Sequence, residues 1–264
     1  MNPKGPSSNH IQSVDRALAI LDVLAKRDAT GFSLSEIASR LSINPSTARH
    51  LLATLMARQV VEQDPISKRY RLGIHLIELG NSALSSTSLV RMAQPYVERL
   101  WETTGEAVSL LAFHGLLRTP LLQMQSRQLL HAQRAPLEIH TLHATGSGKA
   151  LLAYLPEEEL QEYLSHARLE RFTNATITDP NALREELARI RAAGVAEDRE
   201  EHGVGVRCIA APIQDARLRV IGCLDLIFPT FGLTEERRQQ MLAATRQNAL
   251  DLSAQLRDIG FVVS

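Results

Sequence analysis

The sequence of 264 residues holds only two cysteines, Cys208 and Cys223, and neither belongs to a C-x-x-C pair. That excludes a disulfide framework and a thiolate zinc site, and it points to a reducing, cytoplasmic setting. No apolar run approaches the roughly 20 residues of a bilayer-spanning helix, so a membrane anchor is not expected. The opening stretch MNPKGPSSNH lacks the apolar core of a secretory signal and reads as a disordered tail over residues 1–10. Net charge is missing too, at +0, but its distribution is uneven. Residues 1–72 hold 10 Lys/Arg against 6 Asp/Glu, a net of +4, whereas residues 73–264 hold 19 against 23, a net of −4. A small basic module joined to a larger acidic one fits that asymmetry.

Signatures of catalysis are equally scarce. There is no G-x-S-x-G, no H-E-x-x-H and no D-x-D-x-D-G loop. The segment HATGSGKA (143–150) has the flavour of a phosphate-binding loop, which needs G-x-x-x-x-G-K-[ST]. Five residues before Gly148 stands His143 rather than glycine, and Ala150 follows Lys149 where a metal-binding hydroxyl belongs. A phosphoryl-transfer enzyme is therefore disfavoured, no cofactor is expected, and Lys149 reads as a structural or solvated charge. His140, His143 and His202 have no matched cysteine and read as surface residues or helix-end caps rather than metal ligands. Glu157, Glu158 and Glu159 follow Pro156, where carboxylates complement the dipole of a helix's first turn.

What is present begins with a helical N-terminal module over 11–72. Residues 11–27 place Val14, Leu18, Leu21 and Leu24 on one stripe at helical spacing. A second helix starts at Ser33, with Glu36 three residues on completing a capping box, and Leu34, Ile37, Ala38 and Leu41 facing inward. A third follows Asn44 as N-cap and Pro45 at the first helical position. Its Ala48, Leu51, Leu52 and Leu55 form the inner face. Ser46, Thr47, Arg49, His50 and Thr54 point elsewhere. Two short β-runs around DPISKRYRL then suggest a wing carrying Lys68, Arg69 and Arg71. Helix, capped helix, tight turn, Pro-initiated helix and basic hairpin together read as a winged helix-turn-helix. Ser46, Thr47, Arg49, His50 and Thr54 then suit the major groove of double-stranded DNA, and Lys68, Arg69 and Arg71 its phosphates.

Residues 73–90 carry Ile74, Ile77 and Leu84 at helical spacing with little charge, as a helix packed on its own domain or one linking two modules would. The Ser/Thr cluster at 85–88 places a boundary near its end. Beyond it, 106–113 and 118–126 read as strands around a turn, and 206–213 and 219–228 as buried strands. Helices fit 157–166, 181–193 and 234–257, the second framed by Asp179-Pro180 and Ala193-Gly194. Strands interleaved with helices, including a hairpin, give an α+β class for 91–264.

At this point the sequence resembles the IclR family of bacterial transcription regulators. The resemblance runs through QSVDRALAILDVLA, LSEIASRLSINPSTARHLLATL, RYRLGIHLIELG, GSGKALLAYLPEEEL and TITDPNALREELARIRAAGVAEDREEHGVGVRCIAAPI, in order and spacing. It implies a C-terminal GAF-like effector domain, an antiparallel sheet flanked by helices. It also implies a homodimer or homotetramer acting on operator DNA, with a small molecule altering operator binding or activation. A sensor signalling through protein contacts is the alternative. Carried over by position, the effector pocket would draw on Leu129, Gly146, Ser147, Asp198, Val206, Cys208, Asp225 and Ile227. Family members that bind small carboxylates have serines where this chain has Asp225 and Ile227. An acidic and an apolar residue there point away from a very small keto acid, toward a ligand with a hydroxyl or amine donor and an apolar body, such as a hydroxylated aromatic. Read alone, Cys208 is also a small core residue, Asp198 a surface carboxylate, and Asp225 a partner for Arg207.

Overall fold

The computed structural model describes residues 11–25, 31–86, 88–128, 132 and 137–263. The chain divides at Ser86/Thr87 into two compact units. In the first, α1 (Gln12–Ala25), α2 (Leu34–Arg40) and α3 (Pro45–Ala57) precede a hairpin of β1 (Val61–Gln63) and β2 (Tyr70–Leu72), followed by α4 (His75–Ser86). Local chemistry sets the helix starts. Ser33 Oγ accepts from Glu36 N at 3.3 Å while Ser33 N donates to Glu36 Oε2 at 2.7 Å, a closed capping box. Asn44 Oδ1 accepts from Ser46 N, with Pro45 opening α3. Ser42, at φ +51°, makes the turn between the two helices.

Ile20, Leu24, Phe32, Ile37, Leu52, Val61 and Tyr70 form the core of this unit. The single inner stripe expected for α1 is only half right. Ile20, Val23 and Leu24 are buried, but Val14 and Leu18 stay 54% and 57% exposed. The helix thus has a second apolar edge turned away from its own core.

The second unit starts with α5 (Ser88–Thr104) and continues with β3 (Ala107–His114) and β4 (Leu117–Met124). After the 3-10 helix Ile139–Ala144 come α6 (Gly146–Leu152), α7 (Glu157–His166) and α8 (Pro180–Ala193). It closes with β5 (Ala196–Arg199), β6 (Val206–Gln214), β7 (Val220–Pro229) and α9 (Glu235–Asp258). All five strands form one antiparallel sheet in the order β4-β3-β7-β6-β5. Asp179 caps α8 by accepting from Ala182 N, and Gly194 ends it at φ +69°.

The sheet is sandwiched, which is why its central strands read as unbroken apolar runs. Leu224, Leu226 and Phe228 of β7 join Val97, Leu100, Leu252 and Leu256 of α5 and α9 in one core. Cys223 lies in the other, with Leu111, Leu152, Leu160 and Leu187 beneath α6, α7 and α8. Side chains alternate across a strand, so Asp225 and Ile227 share the α6 face with Cys223.

Candidate functional site

Strand register brings three of the expected pocket residues into one row. Asp198 on β5 pairs with Cys208 on β6, and Cys208 with Ile227 on β7. Asp225, two residues back, lies opposite Ala210 and Ser109 at the sheet centre. From its place in the row, Cys208 Sγ donates to Asp225 Oδ1 at 2.6 Å.

Helix α6 sits on that row because its first residues lack side-chain bulk. A Cβ on Gly146 would lie 2.9 Å from Cys208 Sγ and 3.0 Å from the Cys208 carbonyl oxygen. One on Gly148 would meet the Leu142 carbonyl oxygen at 2.3 Å. The two glycines therefore allow the helix to press against β6 on one side and the 3-10 turn on the other. That is the physical reason for the Gly-Ser-Gly pattern.

Between α6 and the sheet lies a cavity of about 110 Å³. Six of the eight expected residues line it: Ser147, Asp198, Val206, Cys208, Asp225 and Ile227. Gly146 packs against Cys208 behind the wall, and Leu129 falls outside the described residues. Leu137, Thr145, His202 and Gly203 complete the lining. Asp198 is not a surface carboxylate but 4% exposed on β5. Arg207 turns to Glu197 at 3.4 Å rather than to Asp225. Cys208 is at once core and cavity wall, at 7% exposure.

Three arrangements went unseen in the sequence, where Lys149 stands only as a structural or solvated charge and His143 only as a surface residue or helix-end cap. Arg118, on the edge strand β4, is buried and reaches under the 3-10 helix. Its Nη1 donates to Thr145 Oγ1 at 2.7 Å and Ser147 Oγ at 3.1 Å. Its Nη2 donates to Thr141 Oγ1 and the Glu138 carbonyl, both at 2.9 Å. One guanidinium thus orders both hydroxyls on the α6 side of the cavity and raises the positive potential there. A charge on a strand with alternating polarity reads as solvent-facing, and nothing local signals otherwise.

Lys149, the second, is fully buried. Its Nζ donates to the Glu197 carbonyl at 2.7 Å and to Glu201 Oε1, with Glu186 Oε1 3.8 Å away. The third is a ring cluster. His143 is fully buried, not a surface residue, and donates through Nε2 to the Glu170 carbonyl at 2.9 Å. Phe172 stacks on it at 5.8 Å and touches the cavity residue His202 at 4.8 Å between ring centroids. Burial holds both imidazoles below their usual pKa.

Burial, aided by the Glu201 carboxylate and opposed by the hydrogen bond from Glu201 N, pushes the Asp198 carboxyl up to about 7. An unfolded Asp198 titrates near 3.8. Between those values the folded chain keeps a proton that the unfolded chain releases, so Asp198 costs stability progressively as pH rises from about 4 to about 7. Asp198→Asn, whose amide oxygen still accepts from Glu201 N, should flatten this component. The difference between the urea midpoints of wild type and variant should therefore widen over that window, and parallel profiles would refute the assignment.

In the N-terminal unit, Ser46, Arg49, His50 and Thr54 are exposed on α3, Thr47 is half-buried, and Thr54 Oγ1 donates to the His50 carbonyl. Lys68 is exposed at φ +57° in the hairpin tip, where Asp64 Oδ1 accepts from Ile66 N and Ser67 N. Arg71 pairs across the strands with Glu62 at 2.5 Å. Arg69 turns back toward α2, donating to Glu36 Oε2 at 2.6 Å and the Gly31 carbonyl at 3.1 Å. Among the described residues, no helix is long and apolar enough to cross a membrane.

Residues 81–254 match the family described as bacterial transcriptional regulator IclR C-terminal, and residues 13–65 the IclR helix-turn-helix domain. The chain is 39% identical over 246 residues to the HTH-type transcriptional regulator BhcR of Paracoccus denitrificans (strain Pd 1222), covering 93% of this chain and 88% of that one. It is 32% identical over 246 residues to the HTH-type transcriptional repressor AllR of Escherichia coli (strain K12), covering 93% and 90%. It is also similar to the solved structure of an IclR homolog from Microbacterium hydrocarbonoxydans complexed with 4-hydroxybenzoate. That likeness has a TM-score of 0.72 and 26% identity, over 93% of this chain and 99% of that one.

Proposed function

Because the chain belongs to the IclR family of transcription regulators, with a DNA-binding helix-turn-helix and a C-terminal effector domain, we propose that the cavity under α6 is its effector site. The observation that carries this is the convergence of Ser147, Asp198, Cys208 and Asp225 with apolar Val206 and Ile227 on one cavity. At about 110 Å³ it has room for roughly ten non-hydrogen atoms, counting one per water-sized probe volume. Apolar walls with a carboxylate at the sheet centre favour a small molecule with a hydroxyl or amine donor on an apolar body. A hydroxylated aromatic has that form, and the Microbacterium relative binds one.

The exposed face of α3 serves as the DNA-reading surface, with Lys68 of the wing on phosphate. The apolar edge of α1, with Ile11, Val14 and Leu18 exposed, and Ile74, Ile77 and Leu79 around α4 supply the surface for a homodimer. Two α3 helices would then enter successive major grooves of an inverted repeat. A cytoplasmic homo-oligomer controlling a catabolic operon is the setting this describes.

A thermal-shift series tests the pocket. A ligand bound only by the folded state adds about 2.7 kcal/mol at a hundredfold excess over Kd. The full chain should be stabilised by 4-hydroxybenzoate or its hydroxylated analogues and not by glyoxylate or pyruvate. Asp225→Ser should reverse that order. An order untouched by Asp225→Ser would remove Asp225 from ligand recognition.

A further inference from the structure

The wing raises a question of geometry. Lys68 and Arg69 are neighbours on one hairpin, and both would serve to hold phosphate. The fold treats them differently. Lys68 is exposed. The Arg69 guanidinium folds back, with Nη2 2.6 Å from Glu36 Oε2 and Nε donating to the Gly31 carbonyl at 3.1 Å. Glu36 Oε2 is the same oxygen that accepts from Ser33 N at 2.7 Å to close the N-terminus of α2.

One carboxylate oxygen therefore joins two structures. It finishes the capping box of α2 and anchors the hairpin that follows α3. The attachment continues one residue further along, where Phe32 and Tyr70 exchange backbone hydrogen bonds at 2.9 and 2.7 Å. Gln63 Nε2 donates to the Lys68 carbonyl at 2.9 Å and steadies the tip from its own strand. Because α2 packs on α3 within one core, the direction of the wing relative to the reading helix is set by this brace.

We propose that Arg69 is a positioning residue. Paired with Glu36, it fixes the wing against α2 so that Lys68 meets the DNA backbone at a defined distance from α3, and it does not itself hold phosphate. This rests on the DNA-binding reading above. The two roles differ in a measurable way. A cation that neutralises a phosphate releases a counterion, so removing it lowers the slope of log affinity against log salt by about one unit. Without a brace Lys68 still reaches its phosphate, but the wing must be ordered on binding, so affinity falls while the slope holds.

The test is fluorescence anisotropy of the full chain on a mixed-sequence 30-base-pair duplex, between about 50 and 200 mM salt. Lys68→Ala should lower the slope by about one unit. Arg69→Ala should weaken binding about three- to fivefold at unchanged slope, the loss expected of a half-exposed ion pair. Arg69→Lys should behave like Arg69→Ala, since the charge is kept but the forked donor geometry is lost. The most decisive variant is Glu36→Gln. Glutamine at this position still closes a capping box, so α2 keeps its start while the charged anchor goes. On the brace reading, Glu36→Gln weakens binding although a negative charge has left the protein.

Tighter binding with a steeper slope in Glu36→Gln, a slope lowered by one in Arg69→Ala, full affinity in Arg69→Lys, or no change in any of them would each overturn the proposal. If Arg69→Ala unfolds, Arg69→Lys and Glu36→Gln carry the decision. A wild-type chain that does not bind the duplex at about 50 mM salt would overturn the DNA-binding reading and the brace with it.

Discussion

Gly148→Ala should destabilise the C-terminal unit by about 3 kcal/mol or more, at the upper end of overpacking costs. The added methyl would sit 2.3 Å from the Leu142 carbonyl oxygen, 2.5 Å from Leu142 Cα and 2.6 Å from Thr145 Oγ1. Two of those atoms are backbone, so no rotamer change relieves the clash. Either α6 lifts off β6 or the 3-10 helix before it shifts. For a unit of this size, each kcal/mol moves the midpoint by roughly 2–4 °C, so a drop of about 6–12 °C is expected in a thermal scan. Gly203→Ala is the control, because a Cβ there meets nothing within 4 Å. Equal midpoints for the two variants would show that α6 is not held against β6 as described. The retained fold of Gly148→Ala matters less than its cavity: Thr145 and Ser147 flank the substituted turn and line the site, so any surviving population should also lose effector response.

How much of this was legible in the sequence depends on how local the signals were. The helix-turn-helix was, because its determinants lie within a few residues of one another: Ser33 with Glu36, Asn44 with Pro45, and a four-residue turn. The strands β6 and β7 were legible because both sheet faces are covered there, and β3 and β4 because they flank a short turn. Family position put Asp198, Cys208 and Ile227 in one pocket, but their pairing into a row was not legible, since no pattern in one sequence states register. Burial of charge was the hardest to foresee. The two Nη atoms of Arg118 donate to oxygens 20 to 29 residues away, and only the folded path of residues 138–147 puts them there. The outer edge of α1 failed differently: two apolar stripes on one helix look alike, and periodicity does not say which faces its own core. His143 reads as a surface residue until Phe172, 29 positions later, covers it.

Lys149→Met should cost the C-terminal unit about 3–5 kcal/mol, the penalty for breaking a buried ion pair and leaving one charge behind. Lys149 is fully buried, and Glu201, which receives its ammonium, is 5% exposed. Burial already raises the Glu201 carboxyl above its ordinary pKa, and Lys149 is the first influence holding it down. Without the ammonium, Glu201 must take up a proton or drag water inward. The loss should accordingly be greater at pH 8 than at pH 5, where a raised carboxyl is protonated more cheaply. Lys149→Met/Glu201→Met removes both charges and should recover most of the stability, because a buried pair replaced by apolar side chains is often neutral or better. The two variants therefore separate stability from positioning. Glu201 sits in the turn that carries Asp198, His202 and Gly203 into the cavity wall, and its own backbone N–H holds Asp198 Oδ1 at 2.7 Å. If Lys149 only filled space, the double variant would respond to effector as the wild type does. If the ion pair sets the turn, the double variant should unfold near the wild-type midpoint and still bind effector more weakly. A single variant that loses under about 1 kcal/mol, the worth of an exposed pair, would mean that Lys149 is solvated after all.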